Sequence, residues 1–194
     1  MVEAVIIPLI KIVIVLVAVL VTVMYIVLLE RKVQAWVQVR LGPMRVGPHG
    51  ILQPIADALK LFVKEDITPA KADRWIFSLA PILVLVPALI AFAVVPFDSE
   101  VRLFGLTIPG YIADVNVGLL YIVSVASIGI YGIILGGWSS NSKYPLLASL
   151  RSSAQLISYE VAVTMTLVTG MMLSGSLSMV GIVNAQGKMG WWFA

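Results

Sequence analysis

Four stretches of this chain are apolar for long enough to cross a bilayer as helices: about 5–29, 76–96, 117–138 and 154–181. Such a crossing takes roughly 20 mostly apolar residues. The first run is interrupted by Lys11 and Thr22 as its clearly polar residues and ends in Glu30-Arg31-Lys32. The second holds Pro81 and Pro87, which membrane helices tolerate when neighbours satisfy the freed carbonyls. The third ends with Gly132 and Gly136, a spacing that lets another helix approach closely. Between the first and second runs the period changes. Ile51, Ile55, Leu59, Phe62 and Val63 recur at helical spacing, with Gln53, Asp57, Lys60 and Lys64 opposite them. This predicts an amphipathic helix over 49–66, too short and too charged to span, lying in or near the membrane interface. Pro54 suits its first turn, where a missing N–H costs little.

The fold class this predicts is an all-α membrane protein. It is a polytopic helical bundle of four transmembrane helices plus the start of a fifth, with an interfacial amphipathic helix after the first. The fifth is read from "KMGWWFA", residues 188–194, which has the aromatic content of an interfacial anchor. The chain shows neither an internal repeat nor a low-complexity linker, so a single transmembrane domain over 1–194 is expected. The first run is longer than the roughly 7–15 residues of a signal-peptide core and has no small-residue cleavage pattern, so it reads as a retained helix.

Composition strengthens the membrane reading. The chain is 60% hydrophobic and 12% charged, against about 45–50% and about 25% in soluble domains. With no Cys, disulfides, iron–sulfur clusters and thiolate zinc sites within this chain are excluded. One histidine, His49, leaves no His cluster for a metal, and nothing points to nucleic acid. Charge placement sets the orientation. Of the 13 Lys and Arg residues, eight lie in 30–75 and two, Lys143 and Arg151, in 139–153. Lys11, Arg102 and Lys188 fall on the other side. The positive-inside rule makes the 30–75 and 139–153 loops cytoplasmic and the N-terminus external.

Candidate chemistry is sparse. Glu160 falls about two turns into the fourth predicted span, with Ser153, Ile157 and Thr164 on the same side. An intramembrane carboxylate is costly and faces a partner or a water-filled cavity. It serves either as a hydrogen-bonded packing group or as a proton carrier. Lys32 beside Glu30-Arg31 suits an interfacial charge cluster with snorkelling side chains. Gly42-Pro43 and Gly47-Pro48 predict sharp turns around Met44-Arg45-Val46, a rigid basic surface suited to another protein or a ligand. On pattern alone, 49–66 reads as an anchor for that loop.

Two long blocks carry a resemblance. "ERKVQAWVQVRLGPMRVGPHGILQPIADALKLFVKED" and "GGWSSNSKYPLLASLRSSAQLISYEV" resemble the first cytoplasmic loop and the second diagnostic block of the H-subunit of NADH-quinone oxidoreductase, the subunit-1 family of respiratory complex I. The resemblance covers essentially the whole chain and matches the first four of the family's eight spans and the approach to the fifth. It implies a membrane protein at the heel of the membrane arm that docks the peripheral arm and forms a quinone chamber with it. Residues 49–66 then become a wall of the quinone entrance, with Ile55, Leu59 and Phe62 facing the isoprenoid tail. Glu30, Arg31, Arg40, Asp57, Glu65 and Arg151 line the polar part of the cavity. Glu160 matches the family's proton-path carboxylate. Lys64, Lys143 and Arg45 are left as surface or docking charges.

The implied substrate is a quinone, ubiquinone or menaquinone, with no iron–sulfur cluster, flavin or metal on this chain. The implied partners are the lipid bilayer, the peripheral-arm quinone-site subunits and the neighbouring small membrane subunits. The implied location is the bacterial plasma membrane, or alternatively the mitochondrial inner membrane. The family's acidic loop between its fifth and sixth spans is absent here, so this chain alone is not expected to be catalytically competent. Three rivals are weighed. One is the related membrane subunit of membrane-bound hydrogenases or formate hydrogenlyase. Another is a transporter or channel, disfavoured by the lack of a repeat. The third is a structural anchor for a soluble complex.

Overall fold

The computed structural model describes residues 2–98, 100–103 and 106–190. Four of its helices are long and apolar enough to cross a membrane, and the protein is a multi-pass helical membrane protein. The chain divides into two compact units, Met1–Ile67 and Thr68–Ala194. The Trp-rich end of the expected fifth span, 191–194, lies outside the described residues.

The first unit holds α1 (Val2–Val37), a 3-10 turn (Pro48–Gly50) and α2 (Gln53–Val63). Helix α1 is 36 residues long, about 54 Å at 1.5 Å per residue, against a hydrocarbon core of roughly 30 Å. It does not stop where the apolar run stops at Leu29. Glu30, Arg31 and Lys32 end the hydropathy but leave the backbone hydrogen bonding intact, and the helix continues to Val37. The amphipathic helix is shorter than the expected 49–66. Pro54 sits in its first turn and is buried. Before it, His49 leaves helical geometry with φ 52°.

The second unit holds α3 (Arg74–Ile90), a 3-10 turn (Ala91–Val94), the strands β1 (Glu100–Leu103) and β2 (Leu106–Pro109), α4 (Gly118–Ser139), α5 (Lys143–Ser174) and α6 (Met179–Met189). Asp73 caps α3, its Oδ1 accepting from the N–H groups of Trp75 and Ile76, which satisfies orphan donors of the first turn. The Asp73 N–H donates to the Ser139 carbonyl at 2.9 Å, and Asn141 Nδ2 donates to the Lys71 carbonyl at 3.2 Å. These two bonds fasten the start of α3 to the end of α4. Along their length the two helices meet at Gly132. A Cβ there would lie 2.6 Å from Val84 Cγ2 and 2.7 Å from the Ala80 carbonyl oxygen, so the glycine permits the contact.

The helical membrane fold is as expected, and the structure adds one element to it. Strands β1 and β2 pair antiparallel as a short hairpin, Glu100 opposite Pro109 through Leu103 opposite Leu106. One span is corrected: the fourth is not 154–181. Helix α5 begins eleven residues earlier, at Lys143, directly after Ser142, and ends at Ser174. Gly175 terminates it with φ 67°, a left-handed conformation that glycine adopts without penalty. Most of the expected 139–153 loop is therefore helix. Ser178 then caps α6, accepting from the Gly181 N–H at 3.3 Å, and its hydroxyl donates to Asp114 Oδ1 at 2.7 Å.

Candidate functional site: an ion-paired interfacial helix and an intramembrane carboxylate

Two sites emerge, one in each unit. In the first, Arg31 near the end of α1 donates through Nη1 to Asp57 Oδ2 of α2 at 2.6 Å. Gln53, one turn before Asp57, donates to its Oδ1 at 3.1 Å. Lys32 donates to the His49 carbonyl at 2.6 Å. Consecutive basic residues of α1 thus hold α2 and the turn that leads into it. The hydrogen bond from Arg31, followed by that from Gln53, holds the Asp57 carboxyl below its ordinary value of 3.8. A depressed carboxylate pKa means the pairing is fully present above that ordinary value and fades as pH falls through the lower folded value. At neutral pH the pair is intact. Its exposure limits its stabilising effect; what it fixes is the orientation of α2.

That orientation leaves an apolar face open. Ile55, Leu59 and Phe62 are 41%, 61% and 88% exposed within this chain. An exposed apolar row of this kind marks a surface that meets lipid, ligand or protein.

The other polar residues of the expected set have surroundings of their own. Glu30 accepts from Gln34 Nε2 at 3.1 Å along α1, and Arg40 donates to Gln38 Oε1 at 2.7 Å. Glu65 is exposed, just past the end of α2. Arg151 belongs to the second unit, on the exposed side of α5, where it lines a shallow groove with Gln155, Ser158 and Tyr159. Of this set, the structure joins Arg31 to Asp57.

In the second unit, Glu160 lies 17 residues past Lys143, the first residue of α5. That is nearly five turns at 3.6 residues per turn, not two. It is half-buried and accepts a hydrogen bond from the Ser127 hydroxyl of α4. Sequence reasoning placed the carboxylate but not this partner, which is 33 residues away and leaves no local signal. Ser153, two turns before Glu160, is buried, and its hydroxyl has no hydrogen-bond partner among the described residues. Among the described residues there is no group of three or more His, Cys, Asp or Glu that could hold a metal ion.

The family model described as NADH dehydrogenase matches residues 10–194. The chain belongs to the H-subunit family of NADH-quinone oxidoreductase. It is 53% identical over 193 residues to the first NADH-quinone oxidoreductase H-subunit of Geobacter sulfurreducens, covering 94% of this chain and 56% of that protein. It is 58% identical over 168 residues to the second H-subunit of Solibacter usitatus, covering 87% of this chain and 40% of that protein. It is 50% identical over 178 residues to the H-subunit of Paraburkholderia xenovorans, covering 92% and 48%. The chain therefore spans about half the length of these relatives.

Proposed function

We propose that this chain is the N-terminal part of the membrane subunit of a proton-translocating NADH:quinone oxidoreductase. In this reading α1 and α2 wall the quinone entrance, and Glu160 lies on the proton path. The observation that carries it is the posture of α2. Its polar face is held by Arg31 through Asp57, while Ile55, Leu59 and Phe62 stand open. An isoprenoid tail needs such an apolar wall, and a quinone headgroup needs polar groups beside it. Arg31 and Asp57 supply an ion pair between α1 and α2; Glu30, Arg40 and Glu65 add polar groups to the proposed cavity when the rest of the membrane subunit and the peripheral-arm subunits are present. Electrons reach the quinone from those partners. The chain contributes shape, charge and a proton-carrying carboxylate, and is not catalytically competent alone.

Phe62→Ala tests the entrance. A core phenylalanine would cost about 3–5 kcal/mol on truncation, but Phe62 has little packing within this chain to lose. Assembly on a native gel should hold while the apparent Michaelis constant for quinone rises several-fold. Lost assembly, or an unchanged constant in an assembled complex, contradicts the entrance role.

The charge pattern favours the ion-paired helix on the cytoplasmic side of a bacterial plasma membrane, with the N-terminus external. The hairpin β1–β2 then falls on the external side. A cysteine introduced at Met44 should react with impermeant reagent from the cytoplasm, and one at Thr107 from outside. The reverse labelling would overturn this orientation.

A further inference from the structure

The Ser127 hydroxyl stands between two acceptors. It lies 3.0 Å from the Val123 carbonyl, one turn back on α4, and within hydrogen-bonding distance of Glu160 Oε1 on α5. A serine hydroxyl has one proton to donate and lone pairs to accept with, so it cannot serve both acceptors at once. We propose that Ser127 is a positioning residue that matches its hydrogen bond to the protonation state of Glu160. When Glu160 is ionised, Ser127 donates to the carboxylate. When Glu160 is protonated, its O–H donates to Ser127 Oγ, and the serine proton turns back to the Val123 carbonyl. No bond to the serine proton breaks: the hydroxyl rotates, and the proton that Glu160 gains or loses comes from and returns to the path itself. Both charge states of Glu160 thereby keep a partner. This matters where water is scarce, because an unpaired buried charge or hydroxyl is costly.

Other ionisable groups on neighbouring elements are few. Helix α4 carries Tyr121 and Tyr131, α6 carries Lys188, and α3 carries Arg74 at its first position. On α5 itself are Lys143, Tyr144, Arg151 and Tyr159, with Tyr159 exposed. The hydrogen bond given to the Glu160 carboxylate comes from none of these, but from Ser127.

The inference rests on the reading of Glu160 as a proton carrier, and its test separates the two. Proton pumping by the assembled complex in vesicles is measured against pH for wild type, Ser127→Ala, Ser127→Thr, Ser127→Cys and Glu160→Gln. Alanine takes a partner from both charge states of Glu160, but the charge-assisted bond to the ionised form is the stronger of the two. The pH profile of Ser127→Ala should therefore move upward. Ser127→Thr keeps the hydroxyl and should restore the wild-type profile. Ser127→Cys, a weak donor, should shift the same way as alanine, and carries the test if the alanine variant does not assemble. An unshifted profile in an assembled alanine or cysteine variant, with Glu160→Gln inactive, overturns the role of Ser127 alone. Normal pumping by Glu160→Gln overturns the proton-carrier reading beneath it.

Discussion

Glu160→Gln should lower proton pumping by the assembled complex on the order of a hundredfold, the low end of what a positioned acid–base group contributes. Quinone-linked NADH oxidation should fall with it, because the two are coupled in the proposed enzyme. Assembly should survive. Glutamine keeps the length and shape of the side chain, and its amide oxygen can still accept from Ser127 as the carboxylate does now. The α4–α5 contact is therefore preserved while ionisation is removed, so a packing role and a protonic role separate. If Glu160 only packs, the variant should pump normally. If it carries protons, only pumping and its coupled oxidation should suffer. A native gel establishes assembly, and a pH-sensitive dye in vesicles reads pumping.

Gly132→Ala should sharply reduce assembly, and Gly136→Ala should not. The two glycines sit one turn apart on α4 and face α3 unequally. A methyl group at Gly132 would press on Val84 Cγ2 at 2.6 Å and on the Ala80 carbonyl oxygen at 2.7 Å. The second contact is with backbone, which cannot rotate away. At Gly136 the nearest atom is Ala80 Cβ at 3.4 Å, an ordinary van der Waals distance. Overpacking typically costs about 1–3 kcal/mol. In a membrane, helix association depends on close packing in place of a hydrophobic drive, so the loss should be visible as a depleted complex. Equal behaviour of the two variants would contradict the α3–α4 geometry.

What could be read from sequence follows from the range of each signal. The four spans were legible because hydropathy is a local property summed over about 20 residues. So were Pro54 in a first turn and the close approach at Gly132. Helix ends were less legible. Hydropathy marks where lipid ends, whereas a helix stops where its hydrogen bonding is interrupted. The charges at 30–32 interrupt nothing, so α1 runs on to Val37. Lys143 and Arg151 suggested a loop but lie in the first turns of α5. In the other direction, Gly175 and its serine neighbours are too mild in hydropathy to mark the end of that helix, and 154–181 ran through it. The β1–β2 hairpin fell in a stretch where no element was expected.

The site divides along the same line. Glu160 and the apolar row Ile55, Leu59 and Phe62 were legible as an ionisable residue within a span and as a helical stripe. Their partners were not. Arg31–Asp57 and Ser127–Glu160 join residues 26 and 33 positions apart, and no local pattern encodes such a pairing. The grouping of Glu30, Arg40, Glu65 and Arg151 with Asp57 came from family resemblance. The described hydrogen bonds of Glu30 and Arg40 run instead to neighbours on their own stretch of chain.

The central claim is that α2 presents its apolar face to quinone. A photoreactive quinone analogue, irradiated with the assembled enzyme and mapped by mass spectrometry, tests this most directly. The account predicts labelling at Ile55, Leu59 or Phe62 that excess natural quinone suppresses. Labelling confined to other segments, or labelling at these residues that natural quinone fails to compete away, would contradict it and return α2 to the role of an interfacial anchor.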